Sequence, residues 1–120
     1  MSLIDCETTA LWTTLFEIQQ LGMRIRHLKQ AVIDAQREAK FWYEQEPALK
    51  EEFAKELAAS IEIISRSPDA FIQVSQKQKL RRFHEKRFHT QILYEYLPEE
   101  NLIQIVRVYN ARMNPDRFLP

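Results

Sequence analysis

One glycine, Gly22, and one cysteine, Cys6, occur in 120 residues. With a single glycine the chain cannot form a glycine-rich loop that wraps phosphates in backbone N–H groups, so P-loop and dinucleotide-binding chemistry are excluded. A single thiol excludes an intrachain disulfide framework and a zinc site built on thiolates, which makes the reducing cytoplasm the expected compartment. Cys6 itself fits a small residue near a terminus. Long apolar runs are missing as well: Arg, Lys, Glu or Gln interrupts every hydrophobic stretch before it reaches the ~18 residues of a membrane span. The first 22 residues hold Asp5, Glu7 and Glu17 and neither Lys nor Arg, unlike the basic start of a secretory signal.

What is present suffices for one core. An apolar content of 45% with 11% aromatics supports a single small domain without cross-links or metal. The 17 basic and 17 acidic side chains cancel, but not locally. Residues 71–96 carry six bases, Lys77, Lys79, Arg81, Arg82, Lys86 and Arg87, against Glu85 and Glu95, and all six bases fall within eleven residues. Broad coating of nucleic acid needs a wider basic face. A local cluster favours one directed contact with an anion or an acidic partner.

The apolar period changes along the chain. Residues 8–21 place Leu11, Leu15 and Ile18, with Trp12, at helical spacing, though their threonines make an isolated helix doubtful. After Gly22, residues 23–28 alternate as a short strand does. Val32, Ala35, Ala39 and Trp42, flanked by Ala31 and Tyr43, then form one helical stripe and predict a helix over 29–46. Pro47 suits the first turn of a second helix, over 47–65, with Leu49, Phe53, Leu57, Ile61 and Ile64 on its buried side. Strands are predicted at 71–74, 79–83, 90–97 and 102–110, where Val, Ile and Tyr concentrate. The expected fold is α+β: a helical hairpin on one face of a small antiparallel sheet of four or five strands, with residues 1–22 as an extra segment, helical or disordered.

Ala31, Asp34, Glu38, Trp42, Tyr43 and Glu44, then Leu49 and Phe53, then Ser67 and Pro68 stand in order ahead of a basic strand, RRFHEKRFHTQILYEY, and a last strand, IVRVYNARMNP. In sequence and spacing this succession resembles the RelE/ParE toxins of bacterial toxin–antitoxin modules over about residues 23–118. The resemblance makes 23–120 the toxin-like domain and implies a cognate antitoxin as partner, with a homodimer left open. It also implies a target, DNA gyrase for ParE-like members or the ribosome for RelE-like ones, and no cofactor or metal. Three positions depart from the pattern. Asn110 stands where RelE-like members have a histidine, Met113 replaces an arginine, and His89 stands where many members have proline.

Those departures set the candidate residues. RelE-like RNA cleavage needs a base, an acid and cations on a developing dianion. Arg81, Arg82, Lys86 and Arg112 would supply the cations, Tyr94 would stack on substrate, and His84 or His89 would move the proton. Five residues apart in a strand region, the two histidines are expected on opposite faces. Partner binding would use Arg81, Arg82, Lys86, Arg87, Asn110 and Arg112. Each also has a structural reading: arginines at a sheet edge discourage aggregation, and Tyr94 and Tyr96, on one strand face, pack against the helices. Trp42 and Tyr43 belong to the core by periodicity. Asp34, Glu38 and Glu44 lack the two-helix arrangement of a carboxylate metal site and are assigned to a solvated helix face. Because Asn110 cannot transfer a proton, the expectation is a ParE-like plasmid-stabilisation toxin that binds gyrase. The alternatives are a ribosome-dependent mRNA endonuclease and a non-toxic remnant that binds only an antitoxin-like partner.

Overall fold

A computed structural model of the chain describes residues 23–75, 77 and 79–112. The expectations for residues 1–22, Cys6 and Met113 lie outside them. In chain order the elements are β1 (Arg24–His27), α1 (Lys29–Gln45), α2 (Pro47–Arg66), β2 (Gln73–Ser75), β3 (Leu80–Glu85), β4 (Thr90–Leu97), a 3-10 turn (Pro98–Glu100) and β5 (Leu102–Asn110). The helices and last two strands fall within a residue of their predicted bounds, because their apolar periods are long enough to be unambiguous. β2 is shorter and later than predicted. Its ladder starts at the Ile72 carbonyl, which accepts the Arg82 N–H at 3.0 Å, while Phe71 turns to pack edge-on against Phe83 with 5.0 Å between centroids.

The five strands lie in the order β1-β5-β4-β3-β2. β2 to β5 pair antiparallel, but β1 pairs parallel with β5, Ile25 opposite Ile103 and His27 opposite Ile105. The sheet is therefore mixed, not antiparallel throughout. α1 keeps the direction of β1, with Asp34 and then Glu38 meeting Val108 and then Asn110 of β5. α2 brings the chain back, from Glu52 at Arg87 to Pro68 at Tyr94, and the three later hairpins return β5 in the direction of β1.

One core lies between the helices and one sheet face. Phe53, Leu57, Ile61 and Ile64 recur on α2 and meet Ile25, Ile92, Tyr94, Ile103, Ile105 and Val108 from the strands. On α1 the buried apolar residues are only alanines, Ala31, Ala35 and Ala39, so this helix sits close to β5. Leu80, Leu93, Leu102 and Tyr109 are also buried, and the alternation of the strands places them on the other face. Tyr43 corrects the periodicity reading: it is 44% exposed, with the Lys50 ammonium 6.0 Å from its ring centroid.

The β3–β4 hairpin is seated by aromatics. Phe88, in its turn, is buried and lies edge-on to Trp42 (5.0 Å) and to Phe53 (5.6 Å). Both carboxylate oxygens of Glu85 accept the Phe88 N–H at 2.9 Å. Arg87 covers the Phe88 ring and reaches Glu52 of α2 at 2.7 Å. The tip of the hairpin is thus fixed against both helices.

Candidate functional site

Within an antiparallel ladder, residues directly opposite each other share a face. Arg81 pairs with Tyr94 and so points to the helix side, whereas Arg82 pairs with Leu93 and points away. Lys79 precedes β3 and Lys86 follows it, so that the roughly 17 Å of the strand from Leu80 to Glu85 lies between them. The six bases therefore form no single patch. β3 is also not the outermost strand, since β2 flanks it at Leu80 and Arg81. A partner segment lying across one face of the sheet cannot cover Arg81 and Arg82 together.

Several of these side chains hold the fold. One guanidinium nitrogen of Arg81 donates to the Phe71 carbonyl at 2.7 Å and to that of Asp69 at 3.2 Å, clasping the α2–β2 connection. Tyr94 is fully buried and its hydroxyl donates to the Pro68 carbonyl at 2.6 Å. Burial pushes that phenol up to about 12, only partly opposed by Arg81, so it stays protonated and offers no base near neutral pH. Tyr96 packs at the core margin. Beside these residues lies a cleft of about 450 Å³, with Lys79, Arg81 and Tyr96 on its wall alongside Asp69 and Glu99. Its lining carries both signs of charge.

Asn110, at the end of β5, is buried. Its Nδ2 donates to the Phe88 carbonyl at 3.3 Å and its Oδ1 accepts the Arg112 N–H at 2.9 Å. The side chain closes the end of β5 onto the β3–β4 turn. Arg112 is exposed just beyond it.

The two histidines come together, against the expectation of opposite faces. His84 and His89 have ring centroids 6.2 Å apart. His89 is not in a strand: it ends the turn Lys86–His89 with φ of 56°, and the reversal swings its ring back toward β3. Lys86 is exposed on the same turn.

Asp34 and Glu38 also depart from expectation. Asp34 is 3% exposed and accepts from Arg107 Nε at 2.7 Å, from the Val108 N–H at 3.0 Å and from Gln30 at 3.0 Å. One turn later, Glu38 accepts the Asn110 backbone N–H, and its Oε2 is buried without a hydrogen-bond partner. Desolvation raises the Glu38 carboxyl, seconded by the nearby Asp34 charge; the Asn110 N–H and Arg37 act against it. The signal was in the sequence. Positions 31, 34, 35, 38, 39 and 42 form one helical stripe, and its two acids were wrongly assigned to solvent.

Among the described residues no three His, Cys, Asp or Glu side chains gather as a metal site, and no helix is long and apolar enough to cross a membrane. No protein-family model matches the chain, and no curated protein matches it.

Proposed function

We propose that this chain is the toxin of a type II toxin–antitoxin module, ParE-like in kind, acting by binding DNA gyrase. Asn110 is the observation that carries this reading. Where the RelE-like pattern has a histidine, the chain has an amide that cannot transfer a proton, and both ends of that amide are taken up in closing a turn. The commitments of Arg81 to two carbonyls and of Tyr94 to Pro68 support it further, because they leave those side chains poorly placed for substrate. The cognate antitoxin would meet the outward cations, Lys86 and Arg112 among them.

The purified chain is expected to inhibit gyrase supercoiling and to leave mRNA intact in a translating extract. Codon-phased cleavage without gyrase inhibition would overturn the proposal. The endonuclease reading has one observation of its own, the approach of His84 and His89, which puts two imidazoles beside Lys86. On that reading His84→Gln or His89→Gln would slow cleavage ~100-fold or more. Activity in neither assay, with tight antitoxin binding kept, would leave the remnant.

A further inference from the structure

His84 and His89 sit on a prepared frame. His84 lies opposite Gln91 in the β3–β4 ladder, and the Gln91 amide meets His84 Nδ1 at 2.6 Å. The other end of that amide, Oε1, is buried without a hydrogen-bond partner. His89 is held at its backbone, where its carbonyl accepts the Ala111 N–H at 2.8 Å. Neither ring depends on a flexible stem.

We propose that the tip of the β3–β4 hairpin binds one transition-metal ion, Zn²⁺ or a similar borderline-soft cation, through the imidazoles of His84 and His89, with Gln91 positioning the first. This goes beyond the toxin reading and does not rest on it. With metal–nitrogen bonds of about 2.1 Å, two imidazoles on one tetrahedral ion hold their centroids roughly 5 Å apart. The observed 6.2 Å needs about 1 Å of closure, within reach of side-chain rotation at His89, which is partly exposed on its turn. Gln91 fixes the His84 ring through Nδ1, so Nε2 is the nitrogen that faces a ligand. Half a turn of the amide presents Oε1 to an Nδ1–H, the outer-shell bond that metal-bound imidazoles ordinarily make.

The same surroundings set the selectivity. Glu85, the nearest acid in the chain, spends both oxygens on the Phe88 N–H. Without a carboxylate the pair has no affinity for Mg²⁺ or Ca²⁺, which take oxygen ligands. Water completes the coordination of a two-histidine site.

Zn²⁺ titrated calorimetrically into the untagged full chain tests this. One ion per chain is expected, bound at least ~10-fold more weakly after His84→Ala or His89→Ala and equally well after His27→Gln. Equal affinity in the doubly substituted chain, loss of binding on His27→Gln, or no binding up to about 1 mM would each overturn the proposal. A second measurement avoids substitution. Sub-stoichiometric Cu²⁺ should broaden the His84 and His89 imidazole NMR signals first, and broadening of His27 ahead of them would refute the site.

Discussion

Lys79, His89 and Asn101 take φ of 57°, 56° and 52°, the left-handed region that glycine enters most cheaply. The chain's one glycine is elsewhere, at position 22. Asn101 and His89 are residue types enriched in this region, but Lys79 is not. Proline, locked near −65°, could not adopt the His89 value. Lys79→Gly is therefore expected to raise stability by roughly 0.5–1 kcal/mol, measured as a higher denaturant midpoint at unchanged slope. A lower midpoint would mean that the Lys79 side chain contributes more than its backbone costs.

At the scale of elements, α1 acts as the missing neighbour of β5. β1 accompanies β5 only as far as Ile105, and beyond that point Asp34 and Glu38 accept the N–H groups of Val108 and Asn110. The spacing matches: four helical residues rise about 6 Å and two strand residues about 6.8 Å. Alanines at 31, 35 and 39 let the helix come close enough. Because Asp34 also holds Arg107 with two bonds, of 2.7 and 3.1 Å, Asp34→Ala removes that ion pair and the acceptor of the buried Val108 N–H. A loss of about 3 kcal/mol or more is expected by chemical denaturation, and a loss below about 1 kcal/mol would show that solvent replaces the carboxylate. The arrangement also closes this part of the β5 edge to strand addition.

For the whole molecule, two partly buried groups, His27 and Glu38, give opposite pH dependences. Burial lowers His27 from 6.5 to about 4, so the unfolded chain takes up its proton first. The contribution of His27 is fully present above pH 6.5 and is lost as pH falls through that window toward 4. Glu38 is raised, and its contribution is fully present below the ordinary carboxylate value of 4.5 and lost as pH rises through its folded-state value. His27→Gln should flatten the melting-temperature profile between pH 6.5 and 4. Glu38→Gln should raise stability at pH 7 and change little in acid. A Glu38→Gln chain less stable at pH 7 would mean that the charge on Glu38 supports the Asn110 N–H more than desolvation opposes it.

The two helices, β4, β5 and the α+β class were legible in the sequence, because each rests on a local period repeated over two turns of helix or several strand residues. Partner choice was not. That β1 lies parallel to β5, that Arg81 and Arg82 part to opposite faces, and that β3 is flanked by β2 follow from long-range pairing, which no local pattern encodes. The same holds for the candidate site. Residue types marked His84, His89 and Asn110 as the positions to examine, but only the turn at Lys86–His89 decided that the histidines meet. Likewise, only the end of β5 decided that Asn110 is a structural clasp. Sequence determines which side chains are available and their local period; which of them face one another depends on chain reversals and strand register, and those are set by how the whole chain buries its core.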